Sequence, residues 1–212
     1  MHIFLPKKFS FLNHKKGILD LCGGTGSWSK PYKEAGYDVR LITLPEYDVL
    51  TYNPPIGGGN KVHGVIAAPP CTHFSIACNR LWDEKDKDGR TIEGLKVLIA
   101  CLRIIAKANP EWWVIENPIG RMKRFMGNPD YKFQFTDFGF PCKKTSLLWG
   151  NFNHPIKQKH EYEVIYKLEE IDYKMPELYK VQGIIETDHS RRAAVRSITP
   201  EGFAKAFFEA NP

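Results

Sequence analysis

No stretch of this chain approaches the roughly eighteen consecutive apolar residues of a membrane-spanning helix, and Met1 to Phe11 lacks the apolar core of a secretion signal. The five cysteines are odd in number and follow no framework of spacings, which argues against a disulfide-stapled scaffold and for a reduced, intracellular protein. Cys71-x-His73 with Cys78 matches no zinc-binding spacing, so no metal is expected. There is no internal repeat and no low-complexity tract. A chain of 212 residues lies near the single-domain size and is long enough to bury a sizeable core.

Charge is modest overall, with a formal net value of +6, but unevenly placed. Arg121, Lys123, Arg124, Lys143, Lys144, Lys157, Lys159, Arg191, Arg192 and Arg196 fall in the second half, beside Trp149, Phe152 and Tyr162. That mixture suits a surface that tracks phosphates, although Glu161, Glu163, Glu169, Glu170 and Asp172 dilute the field.

Apolar runs at about Gly17 to Cys22, Asp38 to Leu44, Val62 to Ala67 and Trp112 to Ile115 read as strands. They alternate with helical patterns at Lys30 to Ala35 and Ile92 to Ala108, which predicts an α/β fold with a mostly parallel sheet. Phe133 to Phe138 and Ser146 to Trp149 read as two later strands joined through Pro141, and the polar segment Asn79 to Arg90 reads as a mobile loop. Three strands run into chemistry-bearing segments. Ile18-Leu19-Asp20-Leu21-Cys22-Gly23-Gly24-Thr25-Gly26 ends in a glycine-rich turn whose backbone can approach a ligand. Ser29 stands where a dinucleotide fingerprint would need its last glycine, and there is no P-loop lysine. Ala68-Pro69-Pro70-Cys71 places a thiol on a stiff loop just past a buried strand, where α/β enzymes do chemistry. Trp112-Trp113-Val114-Ile115-Glu116-Asn117-Pro118 ends a third strand in a carboxylate.

In this order the three segments resemble the DNA (cytosine-5) methyltransferase family. Asp20 to Gly26 is similar to its S-adenosylmethionine-binding motif, Pro69-Pro70-Cys71 to its nucleophile motif, and Glu116-Asn117-Pro118 to its Glu-Asn-Val motif. Phe138 to Lys144 resembles the segment carrying Gln-x-Arg-x-Arg, and Arg196-Ser197-Ile198-Thr199-Pro200 the late Arg-x-Leu-Thr-Pro motif. The resemblance implies a Rossmann-like S-adenosylmethionine-dependent fold, one methyltransferase domain over 1–212, with 150–195 as a very small target-recognition insert. It further implies Cys71 as nucleophile, Glu116 as the acid on the base, and Lys144 as a supporting cation. Asp20, Leu21, Cys22, Gly23, Gly24, Gly26, Glu46, Asp48 and Pro70 would hold S-adenosylmethionine. Asn117, Arg121, Lys143 and Arg196 would contact base or DNA.

The implied protein is a monomer acting on double-stranded DNA, cytoplasmic or nucleoid-associated in a bacterial host, like the compact enzymes of phages and mobile elements. Departures accompany the agreements. Ser146 stands where the pattern has its last arginine, the acidic residue closing the second strand is displaced to Glu46 or Asp48, and the family's last motif is missing after Arg196. The same residues fit a tRNA cytosine methyltransferase, an enzyme using a modified donor such as carboxy-S-adenosylmethionine, or a non-catalytic DNA-binding relative.

Overall fold

A computed structural model describes residues 16–55, 61–140, 144–157 and 197–212. Six strands form one sheet: β1 (Lys16–Leu21), β2 (Asp38–Ile42), β3 (Lys61–Ala67), β4 (Trp112–Pro118), β5 (Tyr131–Gln134) and β6 (Thr145–Asn151). Their order is β2-β1-β3-β4-β6-β5. The first four strands in that order are parallel, β6 runs antiparallel to β4, and β5 runs antiparallel to β6. Among the described residues the helices are α1 (Lys30–Glu34), α2 (Trp82–Lys87), α3 (Arg90–Ala108), α4 (Lys123–Met126) and α5 (Glu201–Ala210).

Because strand side chains alternate, each inner strand feeds two cores. Leu19, Leu21, Val65, Ala67 and Ile115 pack on one face against Leu98, Cys101, Ile104 and Ile105 of α3. Ile18, Ile66, Val114 and Leu148 pack on the other against Trp28, Tyr32, Phe203 and Phe207, so α1 and α5 cover that side. Phe203 stacks on Phe133 with ring centroids 4.1 Å apart, and the Tyr32 hydroxyl donates to the Asn211 carbonyl oxygen at 2.8 Å.

The register positions the site. Leu21 pairs with Ile42 on one side and Ala67 on the other, and Ala67 pairs with Ile115. The glycine turn, the Pro-Pro-Cys loop and Glu116 therefore leave neighbouring strands at one level of the sheet, its carboxyl edge.

Several sequence expectations need correcting. The second strand ends at Ile42, not Leu44, and the fourth continues through Glu116 and Asn117 to Pro118, paired with β6. Phe135–Phe138 is a 3-10 turn, not strand. Gln134 and Asp137 cap it reciprocally, and Gly139 at φ 82° ends it. The segment Asn79 to Arg90 is not a loose connection: a 3-10 turn over Ile76–Leu81 leads into α2, and Lys85 is buried. Most of the proposed recognition insert, 158–196, lies outside the described residues, as do Lys143 and Arg196. No helix among the described residues is long and apolar enough to cross a membrane.

Candidate active site

The glycine turn is drawn tight against its own strand. Cys22, Gly24 and Gly26 all have positive φ (56°, 54° and 70°), and the Cys22 amide donates to the Ile42 carbonyl at 2.8 Å. A side chain on Gly23 would put its Cβ 2.2 Å from Asp20 Oδ1, so only glycine fits over that carboxylate. Asp20 is fully buried beneath the turn, accepts from Ser29 Oγ at 2.5 Å, and burial pushes its pKa to about 6 despite that bond. It supports the turn from below instead of reaching a ligand directly, and Leu21, also fully buried, belongs to the core. Beside the turn opens a cleft of about 390 Å³ bordered by Thr25, Gly26, Ser27, Lys30, Leu41 and Ile198. The Thr199 amide donates to Ser27 Oγ at 3.1 Å, so the start of the C-terminal segment is seated on the turn. Glu46 is exposed and Asp48 half-buried on the loop after β2. Neither borders the cleft, and Asp48 Oδ1 accepts from the Leu50 amide at 2.9 Å.

The loop carrying Cys71 is held by its carbonyls. After buried Pro69 and exposed Pro70, Cys71–His73 forms a 3-10 turn. Asn117 Nδ2 donates to the Pro69 oxygen at 2.9 Å, Lys85 Nζ to the Thr72 oxygen at 2.5 Å, and Arg121 Nε to the His73 oxygen at 2.8 Å. All three donors are buried, at 0, 5 and 2 % exposure, and each comes from a different segment. Arg121 also binds Asp86 and the Thr91 hydroxyl at 2.7–2.8 Å. Two sequence assignments change accordingly. Arg121 and Asn117 do not face outward, as a base or DNA contact would require; they are buried and hold the Cys71 loop by its Pro69 and His73 carbonyls. Removing the guanidinium strips a buried carbonyl and a buried hydroxyl of their donors. We expect Arg121→Ala to lower unfolding free energy by roughly 2–4 kcal/mol, read by urea denaturation; an unchanged midpoint would show the clamp is not structural.

Cys71 itself is exposed, while Glu116 on β4 and Lys144 just before β6 are half-buried. The protein packed around the sulfur pushes the thiol pKa up, the Glu116 charge adds to that, and the Lys144 charge opposes it, so the three groups share one electrostatic field. The Lys144 ammonium sits 4.6 Å from the Phe135 ring centroid. Ser146 Oγ donates to Glu116 Oε1 at 2.6 Å. Ala68, Glu116, Lys144, Ser146, Trp28 and Ile198 border a cavity of about 30 Å³, room for a water or two and too small for a pyrimidine. Sequence reasoning missed Lys85 and treated Ser146 only as a lost arginine. The one signal available for Ser146 was a lone small polar residue beside Leu147-Leu148-Trp149.

Among the described residues no group of acidic, histidine or cysteine side chains is arranged to hold a metal ion.

No protein-family model matches the chain. A probable DNA (cytosine-5)-methyltransferase of Frog virus 3 (isolate Goorha) is 29 % identical over 149 residues, covering 62 % of this chain and 69 % of that protein. The type II methyltransferase M.DdeI of Desulfomicrobium norvegicum (strain DSM 1741 / NCIMB 8310) is 28 % identical over 126 residues, which covers 49 % of this chain but only 28 % of that protein. A crystal structure of a putative DNA modification methyltransferase encoded within a prophage (E. coli) overlaps 64 % of this chain and 46 % of its own, with a TM-score of 0.45 and 20 % identity. With the glycine turn, the Pro-Pro-Cys loop and the Glu-Asn strand end brought to one sheet edge in an α/β fold, the chain is similar in sequence to DNA (cytosine-5)-methyltransferases.

Proposed function

We propose that the protein methylates carbon 5 of cytosine in double-stranded DNA through a covalent adduct on Cys71. The observation that carries this reading is the joint field of Cys71, Glu116 and Lys144 at the carboxyl edge, with the thiol on a loop clamped at three carbonyls. Carbon 5 of cytosine is a weak nucleophile. Addition of the Cys71 sulfur to carbon 6 moves the ring's electron pair toward N3, where Glu116 delivers a proton, and leaves an enamine nucleophilic at carbon 5. Once carbon 5 carries the methyl group that the donor would supply, loss of its remaining proton restores the carbon 5–carbon 6 double bond and expels the sulfur as thiolate. A carboxylic acid facing N3 and the exocyclic amine also tells cytosine from thymine.

S-adenosylmethionine suits the glycine turn: positive-φ backbone with no Cβ at Gly23, and an adjacent cleft of the size small-molecule sites occupy. When bound it supplies an electrophilic methyl group and a positive charge. Backbone of Cys22, Gly23, Gly24 and Gly26 would hold it from the sheet side, with Pro70 opposite; Asp48 and Glu46, which stand away from the cleft, are not assigned to it. The recognition element would be the insert 150–195, with Lys143 and Arg196 on the nucleic acid.

Mass spectrometry of bases from cells expressing the protein tests the reading. 5-Methylcytosine in DNA is expected; methylation confined to tRNA, or a different added mass, would overturn the substrate or the donor. A second test follows from the thiol. Its raised pKa leaves little thiolate at neutral pH, and that fraction grows as pH rises toward the pKa. Adduct formation should accelerate by up to about tenfold per pH unit between pH 7 and 8. Lys144→Ala, by removing the cation that opposes the shift, should slow it at neutral pH and move the profile to higher pH. A pH-independent rate would mean that thiol ionisation does not limit the reaction.

A further inference from the structure

Ser146 lies in β6 beside Leu147, Leu148 and Trp149 and has no exposure to solvent. A hydroxyl so placed costs folding free energy unless it is bonded, and the bond it makes is to Glu116 Oε1, across the strand pair, at 2.6 Å. Both side chains border the same small cavity, beside Ala68 and Lys144. A serine has one hydrogen to give. It therefore fixes one carboxyl oxygen and leaves the other to carry and deliver a proton, and it does so without bringing a charge of its own.

We propose that Ser146 is a positioning residue for Glu116: its hydroxyl sets the orientation of the carboxyl toward the cytosine edge in place of a cation. The inference rests on Glu116 being the acid that meets the base, and its test separates the two. In Ser146→Ala, kcat for DNA methylation should fall about tenfold or more while KM stays within about twofold, because the acid is misaimed and the surface that binds DNA is untouched. Ser146→Thr, which keeps the hydroxyl, should restore most of the rate. Equal losses in the Ala and Thr variants with a matching drop in melting temperature would make Ser146 a packing residue and overturn the proposal.

A readout independent of turnover is the carboxyl carbon-13 chemical shift of Glu116, which responds to the hydrogen bond at its oxygen. The other charged groups that act in this pocket, Cys71 and Lys144, are common to all three proteins, so differences report Ser146 alone. The signal should move in Ser146→Ala and return to its wild-type position in Ser146→Thr. An identical signal in all three proteins would overturn the proposal. A wild-type protein that methylates neither DNA nor RNA would instead overturn the proposed function, and the chemical shift would still decide the Ser146 contact.

Discussion

Cys71→Ser is expected to abolish both turnover and trapping on DNA containing 5-fluorocytosine, with a loss on the order of a thousandfold or more, because a serine hydroxyl is scarcely ionised at neutral pH. In the wild type, fluorine at carbon 5 should block the elimination that would free the sulfur, so the complex should survive denaturing electrophoresis and peptide mapping should find the crosslink at Cys71. Cys78→Ser and Cys142→Ser should keep both activities. Cys78 is half-buried in the 3-10 turn that follows the Cys71 loop, and Cys142 lies outside the described residues. Trapping that persisted in Cys71→Ser and vanished in another cysteine variant would transfer the nucleophile, and methylation without trapping in any variant would reject covalent catalysis.

Glu116→Gln is expected to fold normally and to lose on the order of a hundredfold or more in methylation. The amide keeps the shape and can still accept from Ser146, but it has no proton to place on N3 as the sulfur adds. Binding of cytosine-containing DNA should change little, so the loss falls in kcat. Turnover equal to wild type would reduce Glu116 to a strand residue capped by a serine.

Much of this arrangement was readable from the chain because it follows from local chemistry. The inner strands are largely apolar runs that end near glycine or proline, with Cys71 just past the prolines after β3 and Glu116 two residues before the proline that closes β4. What could not be read depends on distant partners. Arg121 looks like part of a basic run, and only Asp86, Thr91 and the His73 carbonyl, drawn from two other segments, show that it is buried. Trp82–Lys87 is rich in charge and carries no apolar period, so nothing local marks Lys85 as a buried anchor on Thr72. Phe135–Phe138 has strand-forming residues, but the reciprocal caps at Gln134 and Asp137 outweigh that preference. Ser146 shows in sequence only as a departure from a pattern; its contact to Glu116 makes it part of the site.

Under the proposed function, the clamp on the Pro69, Thr72 and His73 carbonyls also bears on which partner would move. With the backbone on both sides of Cys71 bonded to buried side chains, the cytosine would have to be carried the whole way out of the base stack to meet the sulfur. The work of extrusion is then set by the nucleic acid, and cytosines opposite a mismatch, being already loosened, should be methylated faster than paired ones in the same flanking sequence, the gap widening as the surrounding duplex becomes more stable.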